Sequence, residues 1–472
     1  MKKATIVLLV ISFLFSCGGK KKQGLAEEAL EEKKEIIAIT DSEEIMDTVI
    51  PAKGVKYKGS RTIDNSNPPV KLNLAGTGKE DKSLDVANYY TKVRYTKLKH
   101  PLPAEQGGFL GEASISVYYE QGMSMSGGVN SSIFVTDEKI IAGDDYFGFH
   151  CYDKEGKFEY SIASRGVLPD YNQKKNELTI NWNKSDRTIM NFSVLGDNCL
   201  YYAIENNKPR MFFQNLKSRK NYLERPGWYG ETFLYKPNTI ASYTYRMRET
   251  NPSPVFRVFD YKGDTLSVFM NYNLLPAPKK GSVTNPDSRF LYYYNDELTM
   301  RQAYNDTIYR MVSEKELRPI YIMDFGSQKL DVETGLSGDK SNKLIPYSWT
   351  ETTDFVFIIY TKDYDCLNNR NSGSVIFNYA YYDKASGKLY NIPSHKFPEE
   401  YLINNSIEGG IPLIGNNIRA NGKLLYIGYT KYQLESVIKQ KDFASLSQAQ
   451  QDKLKSLNEN LQANEMLVMI LE

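Results

Sequence analysis

The sequence predicts an all-β fold, a six-bladed β-propeller, because one pattern of short strands repeats along most of the chain. From residue 130 onward, an apolar strand, a turn, a second strand, an aromatic third strand, an Asp/Lys-Gly turn and a fourth strand recur. The repeat length is roughly 45 to 60 residues, which is typical of propeller blades. The chain is also rich in Tyr, with 36 in 472 residues, and Tyr suits a pleated, half-buried surface. A single blade leaves both faces exposed, so several blades must stack around an axis.

Six copies of this pattern fit the length of the chain. Each copy is predicted to form one four-stranded blade, and the best-defined copies contain a Gly turn between their third and fourth strands. The predicted copies are 132–160, 190–222, 232–269, 290–325, 347–392 and 410–471.

The sixth copy is interrupted by a segment that predicts helix, Tyr432–Leu461. Its apolar residues recur at helical spacing, and Gln, Lys and Glu lie between them. We expect a helical excursion that packs on the rim, and the alternative is a docking helix for a partner. Met466–Leu471 then returns as the last strand. The strand around Val93 is its expected neighbour, because pairing of the two chain ends in one blade would close the ring and remove an exposed sheet edge.

The N-terminus predicts a secretory signal in residues 1–16. Lys2 and Lys3 precede a short apolar stretch, which ends in Leu14-Phe15-Ser16-Cys17. Leu at −3, Ser at −1 and Cys at +1 resemble the lipobox of bacterial lipoproteins. The resemblance implies cleavage before Cys17 and lipid attachment at that residue, which anchors a protein durably when several acyl chains are added. The alternative is an ordinary signal peptide that happens to contain a cysteine.

Residues 17–69 are predicted to form a lipid-anchored tether, and residues 70–472 the propeller. Lys20–Lys22 is a basic stretch beside Gly18-Gly19, which suits contact with anionic headgroups. Beyond the signal, the sequence has no apolar run of eighteen or more residues that would predict a second membrane span. We therefore predict a protein held on the outer membrane by lipid, on the periplasmic face or at the cell surface. The basic residues after Cys17 favour the periplasmic face.

Composition argues against several partner classes. Lys plus Arg number 59 and Asp plus Glu number 57, so no basic excess predicts binding to nucleic acid. Three cysteines remain after lipidation, Cys151, Cys199 and Cys366. An odd number excludes a fully paired disulfide framework, and buried free thiols are expected, with a Cys151–Cys199 bridge as the alternative.

Metal and cofactor sites are not predicted. His100, His150 and His395 are far apart in sequence and lack a second ligand type at metal-site spacing. Gly76-Thr77-Gly78-Lys79 departs from the phosphate-binding loop, because Asn73 replaces the first Gly and Glu80 follows the Lys. We interpret it as a turn. Two acidic or amide-rich stretches have too few ordered oxygen ligands for calcium and are interpreted as solvated loops: Asp144-Asp145, and Asp363 to Asn371.

Sequence signatures of catalysis are also missing. The sequence contains neither a Gly-x-Ser-x-Gly elbow nor the sialidase-type Asp-box. Trp182, Trp228 and Trp349 lie near copy boundaries, where exposed aromatic rings would suit sugar stacking, although a core position is favoured for each.

Several segments together resemble the six-bladed β-propeller lipoproteins common in gut anaerobes. The resemblance covers residues 70–472, and one loop departs from it, because Ser164–Pro169 keeps only part of a Gly/Pro/Glu-rich loop found in many relatives. It implies a fold and a compartment, and no reaction. The segments that carry it are Val70–Leu74, Val86–Tyr90, Val93–Leu98, Phe149–Phe158 and Asn305–Arg310.

These observations favour a lipid-anchored propeller that acts as a non-enzymatic binding or assembly module for an envelope protein or a glycan. The alternative is a carbohydrate-active lyase or hydrolase with its site at the propeller centre, where Tyr and Arg would serve as base, acid or carboxylate neutraliser. A third hypothesis is a sensor subunit beside a transporter, with the rim helix as its contact.

Overall fold

A computed structural model of the chain describes residues 55–472, apart from a series of gaps. The gaps are 77–78, 105–109, 111–132, 144–147, 164–169, 173–176, 180–186, 206–207, 227–230, 237–238, 244–252, 261, 272–289, 338–341, 363–375 and 397–400. Residues 55–472 form one compact unit.

Strands dominate the described residues, and four of them precede the first blade. These are β1 (Tyr57–Lys58), β2 (Ser60–Arg61), β3 (Val70–Asn73) and β4 (Val93–Lys99). Blade 1 contains β5 (Ile133–Val135), β6 (Lys139–Gly143), β7 (Phe149–Asp153) and β8 (Phe158–Ala163). A hairpin of β9 (Asp170–Asn172) and β10 (Glu177–Thr179) follows. Blade 2 contains β11 (Arg187–Leu195), β12 (Asn198–Glu205), β13 (Lys208–Asn215) and β14 (Lys220–Pro226).

The next three blades have the same antiparallel order. Blade 3 contains β15 (Glu231–Lys236), β16 (Thr239–Tyr243), β17 (Ser253–Asp260) and β18 (Thr265–Asn271). Blade 4 contains β19 (Phe290–Tyr294), β20 (Glu297–Arg301), β21 (Thr307–Ser313) and β22 (Glu316–Asp324), and is followed by helix α1 (Val332–Ser337). Blade 5 contains β23 (Leu344–Glu351), β24 (Phe355–Lys362), β25 (Ile376–Asp383) and β26 (Lys388–Lys396).

The last blade is built from both ends of the described chain. After the short hairpin of β27 (Leu402–Ile403) and β28 (Leu413–Ile414), blade 6 begins with β29 (Arg419–Asn421) and β30 (Leu424–Thr430). Helices α2 (Lys431–Lys439) and α3 (Gln448–Asn460) precede β31 (Glu465–Leu471). The order in the sheet is β29, β30, β31, β4. Tyr95 of β4 pairs antiparallel with Met469 of β31, so the predicted closure is confirmed.

The hydrophobic core runs around the whole ring. One cluster joins blades 1 and 2, a second joins blades 2 and 3, a third spans blades 3 to 5, a fourth joins blades 5 and 6, and a fifth joins blades 6 and 1. Every residue of β31 is buried, as expected for a strand covered on both faces. The chain is therefore a six-bladed β-propeller with a helical excursion before its closing strand, as the sequence predicts.

Residues 55–91 form an N-terminal belt along the outer edges of the blades. Strand β1 adds in parallel to β18 of blade 3, and β2 and β3 add in parallel to β22 of blade 4. Bridges from Asp81 to Asn391 and from Asp85 to Asn404 extend this belt along blade 5, before β4 becomes the outer strand of blade 6. The sequence predicts residues 57–61 as part of the tether, whereas strands β1 and β2 in this range pair with the propeller.

The helical insertion, residues 431–464, is packed against the propeller. Both helices begin with capping boxes, formed by Thr430 with Gln433 and by Ser447 with Gln450. Buried apolar side chains on both helices contact the cluster of blades 5 and 6, which confirms the packing interpretation: Leu434, Val437 and Leu454. Within the described residues, no helix is both long and apolar enough to cross a membrane.

Candidate functional site

The two faces of the propeller differ in the length of their connections. In an antiparallel blade, the turns from the first to the second strand and from the third to the fourth lie at one end. We call this end the short-turn face, and its turns include 136–138, 154–157, 295–296, 352–354 and 384–387. The opposite end is the long-connection face, whose described connections include 325–337, 401–418 and 431–464.

Turns of three blades contact one another near the axis on the short-turn face. The backbone N–H of Thr353 donates to the carbonyl of Gly422 at 3.2 Å. Gly422 has φ +57°, and a Cβ at this position would collide with the side chain of Asn295. Only Gly fits such a close approach without strain. The innermost turns of blades 4, 5 and 6 therefore close this part of the short-turn face.

Glu351, at the end of the innermost strand of blade 5, is a buried carboxylate with four hydrogen-bond donors. It is 2% exposed. One carboxylate oxygen accepts from the Tyr292 hydroxyl and from Arg310, both at 2.7 Å. The other accepts from the Tyr321 hydroxyl at 2.9 Å and from Lys384 Nζ at 3.0 Å. The Glu351 cluster therefore joins three strands of blade 4 to blade 5.

The electrostatics of the cluster hold Glu351 ionised. Burial alone would raise the pKa of this carboxyl, but the charges of Arg310 and Lys384 and the hydrogen bond from Tyr292 bring its pKa below the usual value. The pKa values of Tyr292 and Tyr321 are raised, because both phenols are buried and both lie beside the Glu351 charge. Both phenols therefore remain protonated donors at neutral pH.

This arrangement suits a structural role, in which Glu351 holds blades 4 and 5 together, better than a role as catalytic acid or base. An ionised carboxylate has about four lone-pair sites, and the four donors around Glu351 occupy them. A general base must reach a substrate proton, but Glu351 is buried and fully hydrogen-bonded. The cluster has no signature in the sequence, because its members come from different strands and match no short motif.

Trp349 belongs to the same interface. It is 2% exposed, and its indole N–H donates to the Tyr292 hydroxyl at 2.9 Å. Its ring also lies 5.3 Å from that of Tyr321, centroid to centroid. Trp349 is therefore a core residue, as favoured, and is not available for sugar stacking. Trp182 and Trp228 lie outside the described residues.

The fold brings two of the three histidines together. The rings of His100 and His150 are both buried and meet edge to face, with 4.6 Å between centroids. His100 Nδ1 accepts from the backbone N–H of Leu102 at 2.9 Å, and His150 Nδ1 contacts Ser161 Oγ at 2.9 Å. His395 instead contacts Asp442 of the helical insertion. In the described part of the chain, no group of three or more His, Cys, Asp or Glu residues could hold a metal ion.

Cys151 and Cys199 are buried free thiols at the interface of blades 1 and 2. Burial raises the pKa of the Cys151 thiol to about 11, and the pKa of Cys199 is raised further by complete burial. A thiol that stays protonated is a poor nucleophile. These two residues are therefore packing residues, and the alternative of a bridge between them is not what the structure contains.

The remaining sequence candidates are mostly outside the described residues. Lys79 is described, and its ammonium folds back to the carbonyl of Leu74 at 2.6 Å, as suits a turn. The candidates that lie outside the described residues are the lipid-attachment residue Cys17, Cys366, Asp144 and Asp145, Ser164–Pro169, and Asp363 to Asn371.

Comparison with known sequences decides the family. Residues 52–440 match the sequence profile of a domain of unknown function, DUF4933. The chain belongs to this family. No curated protein matches the sequence. The matched range covers the belt, blades 1 to 5 and three of the four strands of blade 6, and ends within the helical insertion before β31.

Solved structures with similar folds share little sequence with this family member. A candidate exported protein from Bacteroides fragilis is 14% identical, with 87% of this chain and 99% of that chain covered and a TM-score of 0.48. BamB from Moraxella catarrhalis is 7% identical, with 49% and 56% covered and a TM-score of 0.25. The β-propeller domain of Swd1 from Myceliophteria thermophila is 11% identical, with 64% and 94% covered and a TM-score of 0.29.

Proposed function

We propose that this protein is a lipid-anchored propeller of the cell envelope that binds a protein or glycan partner without catalysing a reaction. Lipid on Cys17 would hold it on the outer membrane, and the long-connection face would bind the partner. The observation that carries this proposal is that the long connections the structure describes, 325–337, 401–418 and 431–464, lie on one face, because binding residues concentrate on loops that a rigid scaffold positions.

The course of the belt supports this choice of face. The backbone N–H of Lys56 donates at 3.2 Å to the carbonyl of Thr265, which begins β18 directly after a short turn. The chain therefore enters the propeller at the short-turn end of blade 3. The described start of the belt therefore lies at the opposite end of blade 3 from the long-connection face.

The Glu351 cluster supports binding over catalysis. It contains the Glu, Tyr and Arg side chains that a lyase or hydrolase would need, but the carboxylate is buried and holds a full set of donors. Burial and the Glu351 charge raise the pKa values of its two Tyr hydroxyls, so both stay protonated at neutral pH and cannot accept a proton from a substrate. The Glu351 cluster therefore holds these side chains in a form that a glycan does not reach.

Site-specific photocrosslinking on native membranes tests the proposal. A crosslinking residue at Tyr432, which is 79% exposed on the helical insertion, probes the long-connection face. The same residue at Ser386, exposed in a short turn of blade 5, is the matched control. We expect one dominant adduct from position 432 and none from position 386. Adducts from position 386 alone would contradict the choice of face.

Two further measurements test the lipid anchor and the absence of catalysis separately. Cys17→Ser should abolish labelling by radioactive palmitate and release the protein from the membrane fraction, whereas wild-type protein solubilised from the membrane should still form its crosslinks.

If the purified protein converts glycans to smaller products, it is a carbohydrate-active enzyme and the proposed binding module is wrong.

A further inference from the structure

The connection 401–418 contains a sharp turn, residues 405–410, in which one residue other than Gly is left-handed. Glu408 has φ +49° and ψ +35°, and its side chain is exposed. This conformation is unfavourable for a residue with a side chain, because the Cβ atom comes too close to the following carbonyl oxygen. A residue persists in such a conformation only where the surrounding structure holds it there.

The belt holds the start of the 405–410 turn through Asp85. One carboxylate oxygen of Asp85 accepts from Asn404 Nδ2 at 2.7 Å and from Ser406 Oγ at 2.8 Å. The other accepts from the backbone N–H groups of Ala87 at 2.9 Å and Ser406 at 3.3 Å. The backbone N–H of Val86 also donates to the carbonyl of Asn404 at 3.0 Å. The belt therefore fixes the backbone where the turn begins.

The helical insertion holds the same turn through Gln450 of α3. This side chain is 6% exposed. Its Nε2 donates to the carbonyls of Asn405 at 3.1 Å and Gly410 at 2.9 Å, which are the two ends of the turn. Its Oε1 accepts from the backbone N–H of Ser447 at 3.1 Å and belongs to the capping box of α3. One buried side chain therefore joins the start of α3 to both ends of the 405–410 turn.

We propose that the 405–410 turn couples the belt to the helical insertion, because its left-handed conformation needs the contacts of both. If Asp85 releases Asn404 and Ser406, the turn relaxes and the two carbonyls that Gln450 binds move away from it. The start of α3 then loses its contact with the propeller. Coupling between two sites is reciprocal, so a contact that fixes the insertion also fixes the belt. The coupling follows from the fold and does not depend on the proposed partner.

Amide hydrogen exchange on the full chain tests the coupling. Asp85→Asn keeps one side-chain oxygen and replaces the other, which accepts from Asn404 and Ser406, with an NH₂ donor. The N–H of Gly410 donates within the 405–410 turn, and that of Gln451 donates at the start of α3. We expect exchange to become about fivefold faster at Gly410 and about threefold faster at Gln451, the effects of roughly 1 and 0.7 kcal/mol.

The reverse experiment starts from the insertion. Gln450→Glu keeps an oxygen that caps α3 and removes the NH₂ donor to the 405–410 turn. Because coupling is reciprocal, exchange of the Val86 N–H, which donates to Asn404, should also become about threefold faster. Unchanged exchange at Val86 would contradict the coupling.

A double variant tests the part played by the backbone conformation. Glu408→Gly relieves the unfavourable left-handed conformation, since Gly adopts it readily. Added to Asp85→Asn, it should bring exchange at Gly410 back to within about twofold of the wild-type rate, because Gly tolerates φ values that other residues avoid. Exchange that stays as fast as in Asp85→Asn would show that the left-handed conformation is not what the two contacts hold.

The control is a belt contact that does not touch the 405–410 turn. Asn391 Nδ2 donates to Asp81 at 2.9 Å on the outer strand of blade 5, so Asp81→Asn should leave exchange at Gly410 and Gln451 unchanged. Faster exchange at Gly410 without a change at Gln451 in Asp85→Asn would overturn the coupling, and so would wild-type exchange at both.

Exchange of β31 shows whether the blades of each variant remain folded. If Asp85→Asn loses protection in β31, Ser406→Ala is the milder variant, because it removes only the hydroxyl that donates to Asp85. The same pattern at Gly410 and Gln451, at smaller amplitude, is then expected, and its absence would overturn the coupling.

Discussion

At the scale of single residues, Glu351 shows how one buried charge can hold two blades together. Its carboxylate receives hydrogen bonds from β19, β21 and β22 of blade 4, and from Lys384 of its own blade. Burying a charge is costly unless it is paired and hydrogen-bonded. The cluster meets both conditions, so it stabilises the interface only while it is complete.

We expect Glu351→Ala to lower the free energy of unfolding by about 3–5 kcal/mol, because two cations and two phenols would lose their shared acceptor in a buried site. Urea unfolding followed by Trp fluorescence measures the loss. Glu297→Gln is the control: Glu297 lies 3.8 Å from Arg310, but its side chain is 49% exposed, so its removal should change stability by less than about 1 kcal/mol. Similar losses in the two variants would contradict the special role of Glu351.

The same residue gives the protein an acid-dependent stability. Its pKa is depressed in the folded state, so its contribution is complete above the ordinary Glu pKa of about 4.3 and is lost as pH falls through the lower folded value. Urea midpoints between pH 7 and pH 3 should therefore fall more steeply for the wild type than for Glu351→Gln, which has no carboxylate to protonate. Parallel curves for the two proteins would contradict this assignment.

At the scale of elements, the belt is held to blade 3 by a close backbone approach. Gly59 lies between β1 and β2, its N–H donates to Val268 at 2.8 Å, and a Cβ would come within 2.5 Å of the buried Phe269 ring. Real Cβ atoms do not approach this closely, so any side chain at position 59 must push the belt away from the sheet edge.

We therefore expect Gly59→Ala to release β1 and β2, with at least tenfold faster amide exchange at Lys56, Gly59 and Ser60, the effect of about 1.4 kcal/mol. Hydrogen exchange read by mass spectrometry provides the measurement. Gly387→Ala is the matched control, because Gly387 has φ +68° but open space around its Cβ. It should strain its own turn and leave the belt protected. Unchanged exchange at residues 56–60 in Gly59→Ala would refute the steric argument.

The sequence predicts some of these elements and not others. Blade strands are predictable because β-type residues and Gly turns recur locally, as in Phe149–Asp153 and its turn. Strands β1 and β2 contain two residues each and are only partly buried, so they leave no periodic signal. The Glu351 cluster also has no signal in the sequence, because the positions of its members relative to one another depend on how blades 4 and 5 pack and not on any one segment.

At the scale of the whole molecule, the two faces differ in structure. The short-turn face is closed in part by contacts among Asn295, Thr353 and Gly422, and receives the incoming belt at Lys56. The long-connection face carries the helical insertion, whose polar network ties it to the belt through Gln450, Asn404 and Asp85. The insertion is therefore an integral part of the proposed binding surface.

Ring closure depends on β31, which lies between β30 and β4 and has six buried apolar residues, Met466–Leu471. At about 1.5–3 kcal/mol each, their burial contributes on the order of ten kcal/mol, comparable with the 5–15 kcal/mol that stabilises a typical protein. A chain ending at Asn464 should therefore fail to fold, and its β4 would lose its pairing partner. Circular dichroism and size-exclusion chromatography of the truncated chain measure this, with Glu472→Ala as the control.

The control variant, Glu472→Ala, removes a half-exposed carboxylate that lies 3.3 Å from Arg94. This contact is worth less than about 1 kcal/mol, so the variant should fold like the wild type. A synthetic peptide of residues 465–472 should restore folding of the truncated chain, because it supplies the missing strand with all its backbone partners. In the sheet, β4 and β30 do not pair with each other, because β31 lies between them. A truncated chain with the wild-type unfolding midpoint would therefore show that the ring closes without β31, and would contradict the role of this strand.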